Sequence, residues 1–265
     1  MEDTRLTNLL TLLKEMESAL LAYSGGVDST FLLRAMQMSG IRSLAVTAVS
    51  ELIPRADVLT ALQMAGEPGI EHRMLRTEPL SREDFVRNTP ERCFLCKDDL
   101  FSELRAIASE GGYRVLLDGS NIDDTSDRRP GRKAAIKNNV RSPLIETGFS
   151  KREIRKESRR LGLPAWDRPS SSCLATRIPY GQRITKESLE KIERSEDFLR
   201  SLGFREMRVR DHHDVARIEV GAGEIDIMLI PERREVISRT LKSFGFKFIS
   251  LDLEGYRTGS MDDDL

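Results

Sequence analysis

A short apolar segment near the start of the chain, residues 19–23, stops abruptly at Ser24-Gly25-Gly26. Helical spacing of apolar residues follows, so the pattern predicts a buried strand, a tight glycine turn and a helix. Strands and helices continue to alternate beyond this unit, which predicts a doubly wound α/β domain around a parallel sheet. The predicted helices are 6–16, 29–38 and 54–65, and the predicted strands are 19–23, 44–49, 70–75 and 114–118.

A capping box marks a later helix, because Ser150 is followed three positions on by Glu153. We expect this helix to run to Arg160 and to end at Gly162, with a domain boundary after it. The predicted domains are residues 1–168 and a smaller α+β domain of residues 169–265. The elements predicted for the second domain are helices 185–202 and 231–243 and strands 205–210, 216–220 and 247–251.

Charge and composition exclude several classes of protein. The chain has 265 residues, which is enough for one full hydrophobic core and a smaller one. Its 42 basic and 43 acidic side chains give a net charge of −1, whereas a dedicated nucleic-acid binder is expected to be basic. No apolar stretch is long enough to span a bilayer and the N-terminus lacks an apolar signal region, so we expect a cytoplasmic protein.

The residues of the glycine turn are suited to binding phosphate. Gly25 and Gly26 would let backbone N–H groups approach one phosphate closely, and the helix start adds positive potential. Ser24 and Ser29 offer hydroxyl groups, and Asp28 is a candidate magnesium ligand. No Lys follows the glycines, which distinguishes this loop from a Walker A loop. An ordinary Gly-Gly turn is the alternative interpretation.

A second loop, Asp118-Gly119-Ser120-Asn121, follows the last predicted strand of the first domain. Loops at the carboxyl ends of parallel strands bind ligands in open α/β proteins, so Gly119 and Asn121 are candidates to complete a nucleotide site. The same four residues are also typical of a simple turn.

The three cysteines of the chain have a spacing that admits three interpretations. Cys93 and Cys96 form a C-x-x-C directly before a predicted helix over residues 97–108, and Cys173 lies in a loop between the domains. Together they could hold an iron–sulfur cluster with one iron open to an extra ligand. Two alternatives are inert buried cysteines and a structural zinc site with one histidine. The candidate histidines are His72, His212 and His213.

The segment SGGVDS, residues 24–29, resembles the PP-loop of the ATP pyrophosphatases. These enzymes cleave ATP to AMP and pyrophosphate while they adenylate an oxygen atom of a substrate. The resemblance implies adenylate chemistry with ATP and Mg2+, and it does not specify the substrate.

A narrower resemblance lies in residues 167–185, DRPSSSCLATRIPYGQRIT. This segment is similar to the LarE sulfur transferases, which thiolate a pyridinium-3,5-biscarboxylic acid mononucleotide on the way to the nickel-pincer cofactor of lactate racemase. The similarity extends through nearly the full chain. Its other motifs are DGSNIDDTSDRRPG (118–131), SPLIETGFSKREIR (142–155) and GYRTGSM (255–261).

This resemblance implies roles for the cysteines. In the LarE family the cysteine that matches Cys173 carries the sulfur, and single-cysteine members sacrifice it and become dehydroalanine after one turnover. Cys93 and Cys96 set this sequence apart from that form. They resemble a three-cysteine subgroup, which implies that Cys93, Cys96 and Cys173 hold a [4Fe-4S] cluster and that sulfur transfer does not destroy the protein.

The resemblance also implies roles for arginines of the second domain. Arg208, Arg210 and Arg257 are expected to hold the phosphate or carboxylates of the substrate, and Arg177 to lie near the active cysteine. The expected catalytic residues are then Cys173, Asp28 and Arg177. Residues 1–168 would bind the nucleotide, and residues 169–265 would bind the substrate and transfer sulfur. We expect a homo-oligomer with a small-molecule substrate and with neither nucleic acid nor membrane as a partner.

Other functions are compatible with parts of this pattern. A tRNA thiolase would combine the same loop with a cluster, although the near-zero net charge and the absence of a basic, aromatic RNA-binding appendage disfavour it. An ammonia-using synthetase such as NAD synthetase would leave all three cysteines without a role. A nucleotide-binding cluster sensor that turns nothing over is a third alternative.

Overall fold

The structure, a computed structural model, divides the chain into two units. It describes residues 4–66, 70–125, 130–169 and 171–257. The first unit contains the described parts of residues 1–78 and 90–171, and the second contains those of 79–89 and 172–265. Parts of three motifs therefore lie outside the described residues, at positions 126–129, 170 and 258–261.

Four parallel strands form the centre of the first unit. They are β1 (Ser18–Ala22), β2 (Arg42–Val49), β3 (Glu71–Arg76) and β4 (Val115–Leu117), in the order β3-β2-β1-β4. The chain builds the sheet outward from β1 through β2 to β3 and then returns to the other side of β1. This reversal makes the carboxyl ends of β1 and β4 the switch point at which open α/β sheets bind ligands. The predicted doubly wound α/β fold is confirmed.

Helices cover both faces of this sheet. They are α1 (Thr4–Met16), α2 (Val27–Ser39), α3 (Arg55–Gly66), α5 (Arg92–Glu110), α6 (Pro130–Lys137), α7 (Pro143–Glu146) and α8 (Lys151–Arg160). Alternate strand residues face opposite sides, as the pleat of a strand requires. Leu21 and Ala45 are fully buried in the core beside α1, α2 and α8, whereas Leu20 and Leu44 are fully buried in the core beside α5 and α6.

Two helix boundaries show how well local signals located these elements. Helix α8 begins with the predicted capping box, because the Ser150 side chain accepts from the Glu153 N–H and the Glu153 side chain accepts from the Ser150 N–H. The prediction for α5 was wrong at its start. That helix begins at Arg92, so Cys93 and Cys96 lie inside it and not before it. None of the residues from 92 to 96 is a Gly or Pro that would break a helix.

The second unit contains a small mixed sheet. Strands β5 (Met207–His212) and β6 (Val215–Val220) form an antiparallel hairpin, and β7 (Phe248–Leu251) pairs with β6 in parallel. The helices of this unit are α4 (Glu83–Val86), α9 (Lys186–Ser201), α10 (Ile225–Met228) and α11 (Pro231–Ser243). Its core includes Leu199, Val209, Val220 and Leu241, all fully buried.

A short segment from early in the chain, residues 79–89, belongs to this second unit. Its anchor is the fully buried Asn88, whose side-chain amide nitrogen donates to the carbonyls of Ile178, Pro179 and Gln182 at 3.2, 2.8 and 2.9 Å. The sequence interpretation placed residues 79–89 in the first domain and the boundary after residue 168, whereas the structure groups residue 171 with the first unit and residue 172 with the second. These hydrogen bonds join residues about ninety positions apart, which no local pattern reveals.

Candidate functional site

The glycine turn after β1 is folded tightly against the first turn of α2. The hydroxyl oxygens of Ser24 and Ser29 lie 3.1 Å apart, and the Ser29 hydroxyl donates to the Gly26 carbonyl at 3.2 Å. Gly26 is the N-cap residue of α2, and no side chain in the described parts of the chain caps this helix. The first N–H groups of a helix have no partner within it, so this helix start can receive an anion.

Gly25 has a conformation and a neighbour that both require glycine. Its φ of 71° lies in the left-handed region, and a Cβ atom would lie 2.7 Å from the Cα of Ala61 in α3. Gly40 also has a φ of 71°, but a Cβ atom there would meet nothing within 4 Å. Substitutions at these two glycines therefore distinguish the effect of backbone strain on stability from the effect of steric overlap.

We expect Gly40→Ala to lower the free energy of unfolding by about 1–2 kcal/mol, the penalty of the left-handed conformation for a residue with a Cβ atom. Gly25→Ala should lower it by about 1–3 kcal/mol more, because the new methyl group overlaps α3. Urea denaturation of the two variants measures the difference. Equal losses of stability would show that α3 moves away from the turn without penalty.

The loop after β4 packs directly on the start of α2. A Cβ atom on Gly119 would lie 3.0 Å from the backbone nitrogen of Ser29. The Asp118 carboxylate accepts hydrogen bonds from the hydroxyls of Ser142 and Ser120, at 2.7 and 2.8 Å, which fix the loop. Asn121 is buried, and its side-chain oxygen accepts from the Asp123 N–H at 3.0 Å. The structure thus brings the two predicted nucleotide-binding segments together.

Asp28 presents a carboxylate at this junction. Its Oδ2 is hydrogen-bonded to the ammonium group of Lys151, whereas its Oδ1 is buried and accepts no hydrogen bond from the described residues. Burial raises the pKa of Asp28, Lys151 opposes that shift, and the charge of Asp124 adds to it. A buried carboxylate oxygen without a donor, near a second carboxylate, is a suitable ligand for Mg2+, which binds through one or two carboxylates together with phosphates.

A cavity of about 210 Å³ lies beside the loop after β4. Two cationic side chains, Lys97 of α5 and Arg132 of α6, line it together with Asp118, Ser120 and Asp124. It therefore extends the candidate nucleotide site of the first unit along the carboxyl end of β4.

The three thiols are divided between the two units. Cys93 and Cys96 lie near the start of α5 in the first unit, and Cys173 directly precedes a 3-10 turn, Leu174–Arg177, in the second. All three are partly buried. Nowhere in the described residues are three or more His, Cys, Asp or Glu side chains grouped so that they could hold a metal ion.

Arg177 anchors the backbone around Cys173. Its side chain is almost fully buried, and its guanidinium donates to both carboxylate oxygens of Glu196 at 2.9 and 3.1 Å. Its Nη1 also donates to the carbonyls of Ser172 and Cys173 at 2.9 and 3.0 Å. Arg177 therefore lies close to the predicted sulfur carrier, as expected, but its nitrogens hold the protein backbone.

The three arginines predicted to bind substrate have different surroundings. Arg210 is buried, with Nε and Nη2 on Glu219 and Nη1 on the carbonyl of Thr176. Arg257 is exposed and pairs with Glu254. Arg208 is partly buried with its guanidinium 4.9 Å from the centre of the Tyr256 ring, and burial together with the charge of nearby Arg177 lowers its pKa.

We therefore expect Arg208 to contribute most to anion binding among these three, because a bound anion would relieve the unfavourable burial of its charge. Arg208→Gln should raise the KM for an anionic substrate by about tenfold or more and change the affinity for ATP less than twofold. Arg257→Gln, the exposed control, should have the smaller effect on that KM. Steady-state kinetics at fixed ATP distinguishes them, and a larger effect at Arg257 would reverse the assignment.

None of the described helices combines the length and the apolar composition needed to cross a membrane. Lys151, which is hydrogen-bonded to Asp28 at the candidate nucleotide site, was not among the site residues predicted from the sequence. Its helical position does not distinguish it from any other Lys in the first turn of an amphipathic helix.

Comparison with known proteins shows similarity along the full chain. The sequence is 39% identical to an uncharacterized protein of Synechocystis sp. over 262 residues, which are 98% of both chains. It is 36% identical to the pyridinium-3,5-bisthiocarboxylic acid mononucleotide synthase of Lactiplantibacillus plantarum over 264 residues, 99% of this chain and 95% of that relative.

A more distant relative matches only part of the chain. A probable tRNA sulfurtransferase of Methanothermobacter thermautotrophicus is 26% identical over 151 residues, 52% of this chain and 39% of its own length. No protein-family model matches the sequence. The full-length similarity decides the relationship: the chain belongs to the LarE family, that of pyridinium-3,5-bisthiocarboxylic acid mononucleotide synthase.

Proposed function

We propose that this protein is an ATP-dependent sulfurtransferase that releases AMP and pyrophosphate. Its substrate is pyridinium-3,5-biscarboxylic acid mononucleotide, and its product carries thiocarboxylates in place of the carboxylates. The observation that carries the proposal is the uncapped start of α2 at the sheet switch point, where Asp28 presents a buried oxygen that accepts no hydrogen bond from the described residues. The full-length similarity to a curated synthase supports the choice of substrate.

Adenylation solves the problem that a carboxylate has no good leaving group. A carboxylate oxygen attacks the α-phosphorus of ATP, the bond to the bridging oxygen breaks, and pyrophosphate leaves with the electron pair. The backbone N–H groups of the glycine turn and of the α2 start stabilise the negative charge of the pyrophosphate. Asp28 and Asp124 would hold Mg2+, which when bound neutralises charge on the phosphates.

Sulfur delivery requires a nucleophile at the acyl-adenylate. The Cys173 thiolate attacks the carbonyl carbon and AMP leaves, which forms a thioester without the help of a strong general base. Arg177 and Glu196 orient the backbone that carries Cys173. In the sacrificial route a base would remove the Cα proton of Cys173, the electron pair of that bond would form the Cα–Cβ double bond, and the Cβ–S bond would break with its electrons on sulfur. This β-elimination would release the thiocarboxylate and leave dehydroalanine.

A [4Fe-4S] cluster would replace the sacrificial route with a renewable one. Three thiolates suit a cluster with one open iron, and Cys93 and Cys96 fit as two of its ligands, because residues three apart on a helix lie on the same face. We propose Cys173 as the third ligand. When bound, such a cluster would supply the transferable sulfide.

The partial similarity to a tRNA sulfurtransferase covers about half of this chain. It supports sulfur-transfer chemistry shared with that relative, and the similarity extends over only part of either chain. We therefore rank tRNA as the alternative substrate.

The experiment that tests the proposal measures pyrophosphate release with ATP, Mg2+ and each candidate substrate in turn. Release that depends on the pyridinium dicarboxylate is the expected result. Release that depends instead on tRNA would replace the substrate. Nucleotide binding without release under either condition would favour a sensor.

A further inference from the structure

The segment that leads to Cys173 has little backbone structure of its own. It comprises residues 167–172, of which the structure describes all but residue 170. Among the described residues, none of the backbone N–H groups at positions 171–173 donates to a backbone carbonyl. The position of this segment therefore depends on contacts made by side chains.

One carboxylate, that of Asp57 in the first turn of α3, receives two of these contacts. Its Oδ1 accepts from the Nη2 of Arg168 at 2.6 Å, and its Oδ2 accepts from the hydroxyl group of Ser171. The side chains of Asp57 and Arg168 are 18% and 25% exposed, so this ion pair is partly shielded from solvent. A carboxylate that accepts from a guanidinium and a hydroxyl at once holds both residues in one geometry.

The backbone of the same segment is held from a second helix. Arg155 of α8 donates from Nη1 to the carbonyl of Trp166 at 3.0 Å and from Nη2 to the carbonyl of Arg168 at 2.7 Å. Arg168 is thus fixed at its carbonyl by α8 and at its side chain by α3. The contact of Ser171 with Asp57 extends this hold to two positions before Cys173.

Helix α3 also packs against the glycine turn. Ala61 follows Asp57 by four positions, so the two residues share one face of α3. Gly25 approaches Ala61 so closely that a Cβ atom on Gly25 would lie 2.7 Å from the Cα of Ala61. One helix therefore contacts both the candidate nucleotide-binding turn and the segment that precedes Cys173.

We propose that Asp57 is a positioning residue for sulfur transfer, which holds Arg168 and Ser171 so that Cys173 meets the acyl-adenylate in a reactive geometry. This inference rests on the proposed sulfurtransferase function. Both proposed routes use Cys173, as the nucleophile or as a cluster ligand, so both need the segment before it in place. A misplacement of about 1 Å can slow a reaction by about 100-fold.

The test follows both half-reactions in one mixture, with the reconstituted protein in excess over the pyridinium dicarboxylate and with ATP and Mg2+ present. Asp57→Ala should slow thiocarboxylate formation by about 10- to 100-fold, because the segment before Cys173 loses its anchor. The rate of pyrophosphate release should change less than twofold, because Asp57 contacts the Cys173 segment. Mass spectrometry of the product and a coupled phosphate assay measure the two rates.

Two further variants separate positioning from a general loss of structure. Asp57→Glu keeps a carboxylate and should recover part of the rate of thiocarboxylate formation. Gln63→Ala, at an exposed position on α3, should behave as the parent protein. Thermal unfolding identifies any variant that fails to fold, and Ser171→Ala takes the place of Asp57→Ala if that protein is unfolded.

The ion pair itself is tested by a double-mutant cycle. Arg168→Ala should reproduce the loss of thiocarboxylate formation caused by Asp57→Ala. The double variant should lose little more than either single variant, because both changes remove the same contact. Losses that multiply would show that the two residues act independently, which would contradict the proposal.

The outcomes distinguish this inference from the proposed function. If the parent protein releases no pyrophosphate with the pyridinium dicarboxylate, the proposed function fails and this inference falls with it. If the parent releases pyrophosphate and folded Asp57→Ala forms thiocarboxylate at the parent rate, only this inference is wrong. It is also wrong if both rates fall by the same factor, because Asp57 would then support the nucleotide site and not the delivery of sulfur.

Discussion

Asp28→Ala is expected to reduce substrate-dependent pyrophosphate release by at least about 100-fold, the size of effect seen when one charge-stabilising group is removed from an active site. The reason is that the variant lacks the buried oxygen at the start of α2 that accepts no hydrogen bond from the described residues and is proposed to bind Mg2+. The release of pyrophosphate, measured with a coupled phosphate assay, is the readout. Glu103→Ala, which removes an exposed carboxylate from α5 in the same unit, is the control.

The fold should survive changes at Asp28. Burial raises the pKa of this carboxyl, so the folded protein holds its proton more tightly than the unfolded chain does. The free energy of unfolding therefore falls as the pH rises from the unfolded pKa to the folded pKa, and at neutral pH the charged Asp28 lowers stability. We expect Asp28→Asn to be at least as stable as the parent at pH 7 by urea denaturation. Undiminished pyrophosphate release by a folded Asp28→Ala protein would refute the assignment of the phosphate loop.

The second large effect is expected at the cysteines. Under anaerobic reconstitution, Cys93→Ala, Cys96→Ala and Cys173→Ala should each lose multiple-turnover formation of thiocarboxylate by at least about 100-fold, because one cluster would need all three thiolates. Each variant should still release pyrophosphate, since adenylation uses Asp28 and the glycine turn. Mass spectrometry of the small-molecule product and iron and sulfide analysis of the protein are the measurements.

The cysteine variants also distinguish the renewable route from the sacrificial one. In the sacrificial route Cys93→Ala and Cys96→Ala would complete one turnover at the parent rate, and only Cys173→Ala would form no thiocarboxylate. The intact protein would then lose the mass of one hydrogen sulfide molecule at Cys173. That pattern would overturn the cluster proposal and leave the adenylation proposal intact. Ser102→Ala, an exposed position on α5, controls for nonspecific effects on that helix.

Local sequence patterns were sufficient to predict the elements whose conformation depends on residues that are neighbours in the sequence. The buried strand, the glycine turn and the helix after it were predictable, because strand and helix periodicities and the φ angles open to glycine are properties of short segments. The capping box at Ser150 and Glu153 was predictable for the same reason. The start of α5 was not, because the C-x-x-C pattern was interpreted as a loop although the helix includes it.

The sequence by itself determined the α/β architecture, the position of the candidate phosphate loop and the identity of the candidate thiols. Only the tertiary structure decided which polar groups distant in the sequence meet. It paired Lys151 with Asp28 and joined Asn88 to Ile178, Pro179 and Gln182. Hydrophobic periodicity specifies which face of an element is buried, but it does not specify which element packs against that face. The partners of buried polar groups, and with them the electrostatics of the site, therefore emerge only when the packing is complete.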